Sequence, residues 1–167
     1  KVAFKKSLTV ESRPASVAAW LRQGEIEAER VVCKPWNAKK FAASLGEIKS
    51  LTREKDPSKF LPHLQNICAE SGVAVVIVRT PKGCPASGAT KFLSQDKALL
   101  MLSFRYLRDD IFWFAFFHEA GHLLLHSNKS LFLEGADALS TAEEEEANDF
   151  AENTLIPEEY KSEFLRL

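Results

Sequence analysis

The segment from Ile111 to Leu125 is apolar throughout except for His118, Glu119 and His122. A run of this length reads as a helix that the core surrounds, with Asp109 and Asp110 as candidates to cap its start. On a helix, positions i and i+4 share a face, so the imidazoles of His118 and His122 point the same way and can grip one ion. Glu119 then lies beside that ion, placed to take a proton from a water held there. Two histidines and a glutamate are costly to bury in a core helix without a chemical role. That cost separates the motif from a surface turn that carries polar residues by accident.

The polar interruption also keeps the run short of the roughly 18 consecutive apolar residues that a membrane span needs. The chain has 167 residues, which suits one domain with a substantial core. Its net charge of -1 draws it neither to nucleic acid nor to an acidic membrane surface. Lys5-Lys6 and Lys39-Lys40 are isolated basic pairs that read as solvated surface, so direct DNA binding by this stretch is not expected. Cys33, Cys68 and Cys84 are odd in number and lack a C-x-x-C spacing. They suggest neither a disulfide framework nor a thiolate metal site, and a reducing cytoplasm is the expected compartment. No signal peptide is visible. A start at Lys1 without methionine reads as a fragment or a processed product.

Period changes divide the chain. Pro14 to Glu29 carries Val17, Trp20, Leu21 and Ile26 near helical spacing. Asn37 is placed to cap a second helix through Phe41, Leu45 and Ile48, and Asp56-Pro57 opens a third that ends at Gly72. His63 in that third helix has no acidic or histidine neighbour in sequence and reads as a surface or satisfied histidine. Val73 to Val78 is a continuous β-branched run, the mark of a strand covered on both faces. Two further strands, about Ala89–Leu93 and Ala98–Ser103, flank Ser94-Gln95-Asp96-Lys97 as a hairpin turn. A helix from about Ala142 to Ile156 follows the apolar helix and a loop, and Pro157 starts a short last one.

Two histidines need a third protein ligand, because catalytic zinc usually has three plus water. His126 is the nearest candidate, but eight residues of straight helix from His118 is about 12 Å, far beyond the span of two zinc–nitrogen bonds of about 2.1 Å. It is expected at the helix end or in support of a ligand. The acidic run Glu143 to Glu146 is the better source. Ser140 and Thr141 each stand three residues before a glutamate, Glu143 and Glu144, in capping-box spacing. Ala147, Phe150, Ala151, Thr154 and Leu155 define the inward face of that helix. At about 100° per residue Glu143 and Glu144 both flank it, Glu145 points away and Glu146 is marginal. If Ser140 caps through Glu143, Glu144 is left for the metal. Spacing alone narrows the choice to that pair.

His118-Glu119-Ala120-Gly121-His122 with His126 beyond, then Glu144, Ala147, Asn148, Phe150 and Ala151, then Leu155-Ile156-Pro157, resembles the ImmA/IrrE family of bacterial metallo-endopeptidases. That family shows H-E-x-G-H-x-L-L-H, then E-x-x-A-N-x-F-A and a downstream L-hydrophobic-P. Gly72 to Val76, Gly88-Ala89-Thr90 and Phe112-Trp113 extend the likeness upstream, to roughly residues 55 to 160. The resemblance implies an α+β, zincin-like fold with a small sheet of about three strands on the H-E-x-x-H helix and a glutamate-bearing helix. It implies a zincin-like unit over 55–167 and an N-terminal helical region over 1–54, packed together.

The same resemblance implies His118, His122 and Glu144 as ligands and Glu119 as general base. Asn148, one turn beyond Glu144, either orients a ligand or is a plain polar residue on the helix flank. Zn2+ is the implied ion, with Mn2+ or another divalent ion compatible with the same donors. Arg105, Tyr106 and Tyr160 are candidates to steady the oxyanion, each equally readable as surface or core edge. The aromatic run Phe112 to Phe117 is expected to be mostly core. The family resemblance further implies a helix-turn-helix module ahead of this stretch in a transcriptional regulator. The expected partner is then a repressor or antitoxin protein, bound as an extended strand along the Ala89–Leu93 edge. A non-cleaving sensor or interaction domain is the rival reading.

Overall fold

A sheet buried on both faces, with the apolar helix against one of them, organises the chain. The computed structural model describes residues 3–6, 14–103, 110–126, 141–157 and 160. In chain order these form β1 (Ala3–Lys6), α1 (Pro14–Glu29), α2 (Ala38–Ser50), a single 3-10 turn (Leu51–Arg53), α3 (Pro57–Ala69), β2 (Val73–Val78), β3 (Ala86–Ser94), β4 (Lys97–Ser103), α4 (Asp110–Leu125) and α5 (Thr141–Leu155). The class is α+β. Local chemistry explains several starts. Asn37 Oδ1 accepts from the Lys40 amide at 2.9 Å and Asp56 Oδ1 from the Ser58 amide at 3.0 Å, each satisfying an amide that a first helical turn leaves bare.

The sheet order is β1-β3-β4-β2. β3 and β4 form the expected hairpin, turning at Gln95–Asp96, and β2 runs parallel to β4. Parallel pairing requires a crossover, and the chain makes it with the Pro81–Pro85 loop and β3. β2 is one edge of the sheet, where Gln65 of α3 donates to the Val75 carbonyl at 3.2 Å.

The other edge differs from expectation. β3 was to be the exposed edge, but β1 pairs antiparallel along it, with Ala3 opposite Thr90, Phe4 opposite Ala89 and Lys6 opposite Ala86. The N-terminal region is therefore not purely helical, and the sheet has four strands rather than three. The register slips between Phe4 and Lys6, so β3 carries an extra residue opposite Lys5.

Alternation along the strands assigns the two faces. Val73, Val75, Ala98, Leu100 and Leu102 face α4, which α2 and α3 flank with Phe41, Ile48, Phe60 and Leu64. Ala74, Val76, Val78, Leu99 and Met101 face α1, where Val17, Trp20 and Ala28 cover them. Helix α4 lies between sheet and α5 and is buried over most of its surface, as its largely apolar sequence required. Phe112, Trp113, Phe116 and Phe117 are core, as expected. Phe114 is only partly buried and Ile111 is 46% exposed, because both lie on the side that the sheet does not cover. No described helix is long and apolar enough to cross a membrane.

Candidate metal centre

Helix geometry turns His118 and His122 toward α5, and α5 comes close enough to answer them. The approach depends on Gly121. A Cβ there would lie 3.1 Å from the Phe150 ring, a tighter contact than side chains normally make, so Phe150 would have to give by a few tenths of an ångström. Fully buried Ala147 and Ala151 line the same seam from α5. Small residues on both helices thus set the distance over which a carboxylate from α5 must reach.

That carboxylate is Glu144. Its Oε2 lies 3.4 Å from His118 Nε2 and its Oε1 3.3 Å from His122 Nε2, and the two Nε2 atoms are 3.0 Å apart. Two imidazole nitrogens and a carboxylate converging on one point need a positive charge between them. A single proton can serve one pair, whereas a cation serves all three. Donor atoms about 2.1 Å from a tetrahedral ion stand about 3.4 Å from each other, so the triangle is close to the size such an ion requires. Among the described residues, His118, His122 and Glu144 are the group of metal-ligating side chains brought together in this way. Glu143, the other member of the pair left open by spacing, is buried and lies outside the group. Glu145 is exposed.

The electrostatics agree with this convergence. Burial raises the Glu144 carboxyl pKa, but hydrogen bonds and proximity to His118 and His122 outweigh it and bring the group down to about 2. Burial lowers the His122 pKa; Glu144 pulls the other way, and His118 and His126 add to the lowering. A carboxylate that stays ionised beside an imidazole that stays neutral is the protonation state a metal ligand set needs.

Each imidazole is held from behind. His118 Nδ1 lies 3.0 Å from Asn148 Oδ1, so Asn148 is a partner of a site histidine and not merely a polar residue on the flank. His122 Nδ1 lies 3.0 Å from His126 Nδ1, and His126 Nε2 lies 3.0 Å from Glu146 Oε2. His126 therefore backs His122 from the side away from the triangle, in line with its exclusion as a ligand. Glu146, marginal as a ligand by spacing, was not read as a partner of His126. Its signal was the series His118, His122, His126 at four-residue steps: the last needs a partner from whichever element covers that face.

Glu119, about 100° around α4 from His118, faces the sheet and is fully buried. A Cβ at Gly88 would sit 2.8 Å from its Cγ and Oε1, so β3 passes the glutamate at backbone distance. A side chain at residue 88 would force the Glu119 carboxylate to shift from this place. Of the oxyanion candidates, Tyr160 is 53% exposed, and Arg105 and Tyr106 lie outside the described residues, as does Ser140.

No curated protein and no solved structure matches the chain. A family model does, that of the IrrE N-terminal-like domain of peptidase family M78, over residues 72–166. The match runs from the residue before β2 through the H-E-x-x-H helix and past α5, more than half the sequence. With both motif helices inside it, the chain belongs to the IrrE N-terminal-like family and carries a metallopeptidase-type domain.

Proposed function

We propose that this chain is a zinc-dependent endopeptidase domain that makes limited cuts in one repressor or antitoxin protein of its own regulatory system. The observation that carries the reading is the triangle of His118, His122 and Glu144, with Glu119 buried on the same helix where β3 passes it at Gly88. A divalent ion in this donor set supplies Lewis-acid polarisation of a carbonyl and of a water.

The chain's own residues supply the rest. Glu119 takes a proton on its carboxylate and passes it to the departing amine. Its confinement between α4 and Gly88 keeps it from wandering off that path. Asn148 holds His118 so that Nε2 faces the ion. The two imidazoles and carboxylate suit zinc and also accept manganese. Cys33, Cys68 and Cys84 form no disulfide, which supports a reducing compartment such as the cytoplasm. DNA contact belongs, in this reading, to a helix-turn-helix module elsewhere in the regulator.

The strand order favours a resting form. An extended substrate that pairs with β3 near Gly88 needs the edge that β1 occupies. Cleavage in this reading therefore begins with β1 leaving β3. Replacing both Ala3 and Phe4 with proline removes the backbone donor that one of these neighbours turns toward β3, and is expected to raise the cleavage rate at constant metal content. An unchanged rate contradicts this gating.

The functional test is a cleavage assay of the metal-loaded domain on a candidate repressor or antitoxin, with casein as a control. Limited cleavage of the candidate by wild type, none by Glu119→Gln and little casein digestion are expected. Equal cleavage by both proteins, or rapid unselective digestion of casein, overturns the proposal.

A further inference from the structure

His122 and His118 are backed in chemically different ways. His118 meets a neutral amide oxygen, at 3.0 Å from its Nδ1. His122 meets a second imidazole that is itself in contact with a carboxylate, through two steps of 3.0 Å each. The first step is buried, since His126 is 5% exposed, whereas the Glu146 side chain is 62% exposed.

We propose that His126 and Glu146 are positioning residues: they form a relay that fixes the tautomer and ring orientation of His122 and thereby sets how tightly the centre holds its ion. The proposal rests on the reading of His118, His122 and Glu144 as the ligands.

Proton positions follow from the geometry. His122 Nε2 faces His118 Nε2 and Glu144 Oε1, so the lone pair that an ion would use is on Nε2. A neutral imidazole carries its single proton on the other nitrogen, hence on Nδ1. That N–H donates to His126 Nδ1, which must be bare, because two protonated nitrogens do not approach to 3.0 Å. The single proton of His126 is then on Nε2 and donates to Glu146 Oε2. With the Nε2 lone pair of His122 reserved for an ion, each N–H of the relay has an acceptor and the direction runs from His122 to His126 to Glu146. An acceptor behind a ligating histidine raises the basicity of the ligating nitrogen, and its loss typically weakens metal binding about 10- to 100-fold.

Helix continuity makes the arrangement robust. The His126 amide donates to the His122 carbonyl at 3.0 Å, so His126 stands one turn beyond His122 on the same face. Glu146 is two residues past Glu144 on α5, so one helix presents both the proposed ligand and the end of the relay.

The test measures Zn2+ affinity by chelator competition and the His122 tautomer by imidazole 15N NMR of the metal-free protein, for wild type, His126→Phe, His126→Gln, Glu146→Ala and Glu145→Ala. His126→Phe keeps a buried ring without an acceptor; it is expected to weaken Zn2+ binding about 10- to 100-fold and to remove the preference for the Nδ1–H tautomer. His126→Gln restores an acceptor oxygen and is expected to recover most of the loss. Glu146→Ala is expected to weaken binding several-fold, and Glu145→Ala not at all. Unchanged affinity and tautomer in a folded His126→Phe overturn the relay. Should that variant not fold, unchanged affinity in Glu146→Ala overturns it. A wild-type protein that binds no Zn2+ sinks the ligand reading instead, while the metal-free tautomer still reports on the relay by itself.

Discussion

The two faces of the sheet are built from the same strands and solve different problems. On the α1 face, Val17, Trp20 and Ala28 meet Ala74, Val76, Leu99 and Met101, and the buried indole of Trp20 finds its acceptor in the Val78 carbonyl at 3.0 Å. On the α4 face the sheet meets a helix that carries His118, Glu119 and His122 into the core. Among the described residues, one helix, α1, closes the first face. The second needs α5 as well, because buried imidazoles require partners that neither the sheet nor α4 provides. A polar site in a core thus announces a second element, and the small residues at Gly121, Ala147 and Ala151 let that element come near.

The largest effect expected anywhere in the molecule is at Glu119, the proposed general base. Glu119→Gln should lower cleavage by about 10²- to 10⁴-fold, the usual worth of a positioned general base, with metal content unchanged. Metal content by elemental analysis together with single-turnover rates checks both halves. A variant that loses its metal along with its activity would blur the division between ligands and base.

Core truncations come next, and they separate the faces. Trp20→Ala and Phe116→Ala each remove a fully buried aromatic, at a cost of about 3–5 kcal/mol in chemical denaturation. Phe116→Ala is also expected to weaken metal binding, since that ring packs within the helix that bears the histidines. Trp20→Ala should leave affinity alone under conditions where the fold persists. Equal losses of affinity would mean that the two faces are not independent. Phe114→Ala should cost less, about 1–2 kcal/mol, because that ring is only partly buried.

The smallest effect is expected at the rim of the α1 face, where Lys91 of β3 pairs with Glu25 of α1. Burial raises the Glu25 pKa, but hydrogen bonds from Lys91 and Arg22 outweigh it, so the folded value lies below the ordinary 4.5. A lowered folded pKa means stability that is present above 4.5 and lost as the pH falls through the lowered value. Lys91→Met should therefore destabilise at neutral pH, with the difference from wild type fading in acid. A difference that grows in acid contradicts the assignment.

Sequence pattern made β2 legible through its β-branched run and α4 through its apolar length, because both are buried over most of their surface. It made Glu144 legible only as one of a pair. Residues 143 and 144 differ by about 100° around a helix, and which of two flanking positions meets a neighbour depends on where that neighbour lies. β1 was not legible at all. Four residues that include Lys5-Lys6 read as surface, and their strand conformation comes from pairing with β3 rather than from local preference. Glu146 was hidden for a similar reason, since its partner His126 lies across the seam between two helices.

Whether His118, His122 and Glu144 hold one ion is decided by the metal stoichiometry of purified Glu144→Ala beside Glu145→Ala. One divalent ion per chain is expected in wild type and in Glu145→Ala, with loss of tight binding in Glu144→Ala. A full complement of tightly held metal in a folded Glu144→Ala protein would contradict it.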